Sequence, residues 1–388
     1  MIKKILKNKI FVLFFLFLSV FLIYFSSGPS QPTSHNYFVL LAEAFSHGRI
    51  YLTEAPSWLN ELIPLNGKYF VVYPPMPAVV LLPFVFFLGS NFSQTLFSNF
   101  IGALNVILLF LILGKLKISK KTQIWVTLLF ALGTNHWFLA SVGSAWYLAH
   151  LIAVFFLFLA IRETLISKRP LLVGLFLGAA YWSRLPTILA FPSFAILLWQ
   201  RKNFKPLLEF TLGVGFFLCL NFLYNFVRFQ TIFDVGYLLI PGVLSEPWAK
   251  LGLFNLQYLS RHLKIIFLKM PLFSRFPPYF KPSYEGLALW LTTPAFIFVL
   301  KAKLREKIVW ASWLAILLIA LPNLTHSTVG FSQFGYRFAM DFTPFLILLT
   351  ALGIKQKIKW YHQVLIIVAI FVNLWGVLWV NKFGWVGW

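Results

Sequence analysis

Long apolar runs separated by short basic clusters recur along the whole chain. They lie near Ile10 to Phe25, Thr95 to Gly114, Ile124 to Ala140, Trp146 to Ile161, Leu171 to Tyr181, Leu185 to Trp199, Leu207 to Phe226, Gly286 to Leu300, Ile308 to Leu321, Phe342 to Ile354 and Val364 to Val380. Several fall short of the roughly 20 residues that a helix needs to span a bilayer, so length alone does not settle the count. Charge adds the missing constraint. The loops "KLKISKK", "RETLISKR", "RKNFK", "KAKLREK" and "KQKIK" together carry 17 positive charges, while the short loops between them and the tail hold only Arg184, Arg337 and Lys382.

The stretch "GKYFVVYPPMPAVVLLPFVFFLGS", Gly67 to Ser90, decides the sidedness of everything that follows. If it does not cross, all five basic loops share the side of the basic N-terminus, as the positive-inside rule requires. If it crosses, all five face outward. Pro74 to Leu88 would make a helix of about 22 Å against an apolar core of about 30 Å, and Pro83 removes a backbone donor midway. The stretch therefore reads as a re-entrant or interfacial helix over 74–88. The expected fold is an all-α polytopic membrane domain spanning 1–388, with about eleven transmembrane helices. Its N-terminus is cytoplasmic, its C-terminus is outside, and two large outer loops cover about 26–94 and 227–285. The first run is read as an uncleaved helix, because no A-x-A-like site follows it.

Composition agrees with this class: 60% of residues are hydrophobic, 11% are charged, and the mean hydropathy is +0.82. The net charge of +23 does not imply nucleic acid, since the Lys and Arg are confined to clusters between apolar runs, where they orient the chain. A single cysteine, Cys219, excludes an intrachain disulfide, and no Cys/His spacing suggests zinc.

Ionisable groups near a membrane are costly, which makes the outer ones candidates for function. Of ten acids, Glu163, Glu209 and Glu306 fall beside the basic loops and the other seven fall outside or at the outer interface. The segment "SHNYFVLLAEAFSHGRIYL…NGKYFVVYPPMPAVVLLPFVFFLG" resembles the first outer loop of GT-C glycosyltransferases, the superfamily of protein mannosyltransferases and aminoarabinose transferases, with glycosyltransferase family 39-like bacterial members. "SAWYLAH", "AAYWSRLPT", "NFVRFQTIFDVGY" and "QFGYRFAMDFTPFLILL" resemble further short signatures of bacterial members. The resemblance implies transfer of a sugar from a polyprenyl-phosphate donor to a glycan, lipid or protein acceptor on the outer face. Such a reaction needs a cationic cradle for the leaving phosphate and a carboxylate that deprotonates or orients the acceptor.

Where the family carries an acid just after the first span, this chain reads "TSHNYF", with His35 and Asn36. Glu43, seven residues after Asn36 and on the same face of a helix from His35 to His47, is the first candidate base. Its competing reading is a solvated residue on an interfacial helix. Glu61 and Glu54 follow as further carboxylates, and His35 or His47 as an imidazole base. For the phosphate the candidates are Arg337, Arg228, Arg184, Arg261 and Lys264. Arg337 has the alternative of pairing with Asp341 at i,i+4. Arg261, Lys264 and Lys269 suit an amphipathic helix lying on anionic lipid. Asp234 positions hydroxyls or forms a turn before Gly236, and Tyr73 with Pro74 and Pro75 shapes the mouth of the site. The resemblance admits a divalent ion, but no D-x-D pair stands outside and no residue is assigned to a metal. Two other classes stay open: a transporter or flippase of a lipid-linked substrate, and a non-catalytic relative that binds a polyprenyl carrier.

Overall fold

A computed structural model describes residues 9–330 and 332–386; the basic head 1–8 and the last two residues of the chain lie outside them. Helix makes up 67% of the chain, and the only sheets among the described residues are two short hairpins. In chain order the helices are α1 Lys9–Ser27, α2 Tyr37–Ser46, α3 Met76–Leu88, α4 Gln94–Leu113, α5 Lys120–Leu132, α6 His136–Val142, α7 Ala145–Arg162, α8 Pro170–Tyr181, α9 Phe191–Leu198, α10 Lys205–Phe229, α11 Leu259–Leu268, α12 Leu289–Thr292, α13 Lys307–Thr325, α14 Thr343–Ile354 and α15 Trp360–Leu378. The strands are β1 Leu62–Leu65, β2 Lys68–Val71, β3 Leu272–Phe273 and β4 Phe280–Lys281.

Six of these helices are long and apolar enough to cross a membrane: α1, α4, α7 with its extension to Ser167, α10, α13, and α15 with its extension to Phe383. A seventh crossing is α5 with α6, if that pair is one span bent by 48°. The bend falls at Gly133 to Asn135, where Thr134 Oγ1 donates to Phe130 O (2.8 Å) and takes over a carbonyl that the broken ladder leaves free. The other four apolar runs that the sequence marks form shorter elements: α8, the pair Leu185–Leu198, a 3₁₀ segment Pro294–Lys301, and α14. Each of the eleven runs is helical. Length qualifies six or seven of them as spans.

Local sequence explains several boundaries. Ser93 caps α4 by accepting from Leu96 N, and Ser119 caps α5 by accepting from Thr122 N (3.1 Å). Close contact between α8 and α10 depends on two glycines, because a Cβ at Gly174 would lie 2.1 Å from Phe210 O and one at Gly213 would lie 2.5 Å from Leu171 O. Outward, α10 exposes Leu208, Leu212, Phe216, Leu223 and Phe226, an apolar face about five turns long that suits lipid rather than water.

The stretch 67–90 divides in two. Its first part is β2, paired with β1 in the register Leu62↔Val71 to Leu65↔Lys68. Its second part is α3, only 13 residues long and about 20 Å by helical rise. Pro83 lies inside α3, whose far end leaves Phe86, Phe87 and Leu88 exposed. Two contacts fix the corner between them: Met76 N donates to Trp182 O (3.0 Å), and Arg228 donates to Val71 O (3.0 Å).

The segment expected over about 227–285 begins later than its sequence suggests, since α10 runs to Phe229. Within it α11 is helical as its pattern indicates, and buries His262, Ile265 and Ile266.

Candidate functional site

The segment after α1 is docked by Gln94. Its Nε2 donates to His35 O (3.2 Å) and Gly143 O (2.8 Å), and its Oε1 accepts from Phe38 N (3.2 Å). Ala145 N also donates to His35 O (3.0 Å), which ties this loop to the start of α7. Tyr37, fully buried on α2, accepts from the backbone N–H groups of Asn60 (3.1 Å) and Glu61 (3.0 Å), and donates to Asn60 Oδ1 (3.1 Å). Burial pushes the Tyr37 phenol up to about 12, so it stays protonated.

That clamp sets the backbone at Glu61, just before β1. The hairpin returns Tyr73 beside it, and the Tyr73 hydroxyl donates to Glu61 Oε2. Burial, with the charge of Glu61 adding to it, raises the Tyr73 phenol far above its ordinary value and keeps it a donor. Trp146, from the first turn of α7, donates its indole N–H to the same oxygen (3.1 Å). Oε1 of Glu61 has no hydrogen-bond partner among the described residues. The His35 ring lies on Trp146 at 4.7 Å between centroids; burial lowers its pKa and the nearby Glu61 charge partly offsets that.

A second cluster lies where α7, α13 and α14 meet. Asp341, at the end of a 3₁₀ turn Arg337–Asp341, is fully buried. Its Oδ1 meets His150 Nδ1 (2.6 Å); its Oδ2 accepts from Arg184 Nη2 (3.0 Å) and Asn323 Nδ2 (3.0 Å). The side chain of Arg184 is 23% exposed, so this guanidinium is anchored at one edge and open at the other. Asp341 thus takes its arginine from 157 residues away rather than from Arg337, one turn before it.

Arg337 is held differently. Its backbone N–H donates to Gln333 Oε1 (2.9 Å), and its guanidinium carbon stands 5.8 Å from the centroid of the Tyr147 ring. The guanidinium carbons of Arg184 and Arg337 stand 5.5 and 5.3 Å from the centroid of the Phe338 ring, which spaces the two cations without neutralising either.

Tyr237, in the segment between α10 and α11, lies between the clusters. Its ring is 6.5 Å from that of Tyr73 and 6.4 Å from that of His326. Its phenol, raised chiefly by burial, lies within the fields of Glu61, Arg184, Arg337 and Asp234. His262, on α11, ties that segment to the loop between α13 and α14, with Nδ1 against Tyr336 Oη and Nε2 against His326 O, both at 2.8 Å. The tautomer that satisfies both is Nε2–H. Burial holds this imidazole down to about 4, so it is neutral at physiological pH.

Of the residues singled out by the sequence, the structure brings together Glu61, His35, Tyr73, Arg184 and Arg337. Glu43 is half-buried on α2, and its carboxylate makes no hydrogen bond or ion pair among the described residues; its backbone O accepts from Ser46 and faces His47. Glu54 is exposed. Arg228 is spent on the fold, bonding Val71 O and Asn225 Oδ1 (2.7 Å) with its guanidinium 3.9 Å from the Tyr224 ring. Asp234 closes a turn by accepting from Gly236 N (3.2 Å), the local role its spacing offers. No group of three or more His, Cys, Asp or Glu among the described residues is placed to hold a metal ion.

Sequence reasoning missed Asp341, His150, Trp146 and Tyr237 as members of a site. Trp146 and His150 are one turn apart on an otherwise apolar helix, and Asp341 is the only acid in "RFAMDFTPFLILL"; both were available as signals.

Together these features define a mostly helical chain whose long apolar helices are compatible with a multi-pass membrane setting, with a polar cluster of two arginines, a tethered carboxylate and stacked aromatics. Compared with family models, curated proteins and solved structures, the chain matches none.

Proposed function

We propose that this site transfers a sugar from a polyprenyl-phosphate carrier to an acceptor outside the membrane. The observation that carries the reading is the ring chain centred on Tyr237: it stands 6.5 Å from Tyr73, which bonds Glu61, and 6.4 Å from His326, whose ring lies 5.8 Å from the Phe338 ring that Arg184 and Arg337 both face. Glu61 accepts the proton of the acceptor hydroxyl as that oxygen bonds the anomeric carbon. The anomeric C–O bond to phosphate breaks, and its electron pair leaves with the phosphate onto Arg184 and Arg337, whose planar donors suit such an anion. Trp146 and Tyr73 hold the carboxylate, and the His35 and Trp146 rings, 4.7 Å apart, present faces to a sugar. The resemblance of the first outer segment and of the Arg184 and Arg337 segments to GT-C signatures points the same way.

In this reading the four shorter apolar elements complete eleven crossings. The five basic loops and the N-terminus are cytoplasmic, the C-terminus is outside, and α3 dips into the outer leaflet beside the site. A cysteine at Lys68 then reacts with an impermeant reagent added outside and one at Lys303 does not; the reverse pattern contradicts the topology.

Arg337→Ala weakens binding of a polyprenyl-phosphate sugar by about tenfold or more, the loss of a charge-assisted contact of roughly 1.5–3 kcal/mol. Isothermal titration with the donor checks this, and unchanged affinity assigns Arg337 to the fold alone.

One observation favours a second reading. A buried His, Asp and Arg in direct contact is the kind of intramembrane network that ion-coupled transporters carry. Uptake of a lipid-linked sugar driven by a proton gradient, without release of polyprenyl phosphate, would establish that reading.

A further inference from the structure

At the opposite, basic end of the bundle the acids are all taken. Glu163 pairs with Arg162 (2.6 Å) and Arg169 (2.7 Å), Glu209 with Lys205 (3.8 Å), and Glu306 with Lys355. Against this background a cavity of about 350 Å³ opens between the start of α1, the end of α4 and the start of α5. Its volume lies in the range of small-ligand sites, roughly 300–1,000 Å³.

The chemistry of its lining is divided. Lys9, Lys115 and Lys120 supply three ammonium groups with no carboxylate among the lining residues, while Val12, Phe110 and Leu111 form an apolar wall. Lys120 donates to Gln123 Oε1 (3.3 Å); the ammonium groups of Lys9 and Lys115 make no hydrogen bond or ion pair among the described residues. The cavity is built into the fold: Gln123 Nε2 donates to Phe110 O (2.7 Å) and draws α5 against the end of α4. A Cβ at Gly114 would sit 2.8 Å from that amide, so the small residue keeps the cleft open.

We propose that this cavity binds the phosphate headgroup of an anionic membrane lipid, with the three lysines on the phosphate and the apolar wall on the glycerol and first acyl carbons. Three uncompensated cations attract an anion. The wall of Val12, Phe110 and Leu111 selects a phosphate that carries a hydrocarbon over one that is free in water. The site is separate from the transferase reading and does not depend on it.

The test uses the full chain in neutral detergent. Native mass spectrometry is run with phosphatidylglycerol, phosphatidylcholine and inorganic phosphate, on the wild type, on Lys9→Gln/Lys115→Gln/Lys120→Gln combined, and on Lys303→Gln, an exposed lysine of the same face. The expected result is retention of phosphatidylglycerol, little phosphatidylcholine, no displacement by millimolar phosphate, and affinity reduced roughly a hundredfold in the triple variant at about fivefold per lysine. Lys303→Gln behaves as wild type. Equal retention of both lipids, displacement by phosphate at lipid-equivalent concentration, or a triple variant that binds normally overturns the proposal. The wild-type arms decide it even if the triple variant does not fold.

Discussion

Glu61→Gln lowers sugar transfer by about 10²–10⁴-fold, the span that removal of a general base produces, while the protein remains folded. The reason lies in what the substitution keeps. A glutamine amide oxygen still accepts from Tyr73 and from Trp146, so the tether between the hairpin and α7 survives with the charge removed. What is lost is the ability to accept a proton from the acceptor hydroxyl. Glu43→Gln supplies the comparison, because that carboxylate is half-buried and makes no contact that would place it. Its turnover stays close to wild type. Inactivity of Glu43→Gln together with near-normal activity of Glu61→Gln would move the base to α2.

Asp341→Ala destabilises the fold by about 3–5 kcal/mol, the cost of removing one partner from a buried ion pair. Arg184 loses its anchor, Asn323 Nδ2 loses an acceptor, and fully buried His150 loses the one group its ring contacts by a hydrogen bond. Adding Arg184→Gln to Asp341→Asn recovers part of that loss, because the double variant leaves no uncompensated charge. Thermal unfolding of the three proteins in the same detergent measures it. An Asp341→Ala protein as stable as wild type would mean that water or a mobile cation already screens Arg184.

The eleven apolar blocks were legible because a continuous apolar run has few alternatives in a chain this hydrophobic, and each emerged as helix. Their division into long and short elements was not. Gly133 to Asn135 breaks one run into α5 and α6, and 3₁₀ geometry shortens two others at Leu185–Ala190 and Pro294–Lys301. Hydropathy counts apolar residues and is blind to where the helical hydrogen-bond ladder is interrupted. The stretch after Gly67 illustrates both sides: its shortness and Pro83 marked the helix as too small to span, but the leading "KYFV" was a strand whose partner "LIPL" shows only a weak alternation.

The site was half legible. Arg184, Arg337, Tyr73, Glu61 and His35 stood out as polar groups in outer or interfacial segments. Helical spacing put Glu43 first among the carboxylates, whereas the carboxylate the fold ties down is Glu61, whose backbone N–H donates to Tyr37 from 24 residues away. The pairing of Asp341 shows the same limit: a neighbour at i,i+4 was the natural partner for Arg337, yet the fold brings Arg184 and His150 to it from distant helices.

The most direct measurement is release of polyprenyl phosphate by the purified chain from a panel of polyprenyl-phosphate hexoses and pentoses, with and without acceptor-containing membranes. The account predicts release with at least one donor, dependent on Glu61 and weakened by Arg337→Ala. Binding of the same donors without release from any of them, in protein that remains folded, would contradict it.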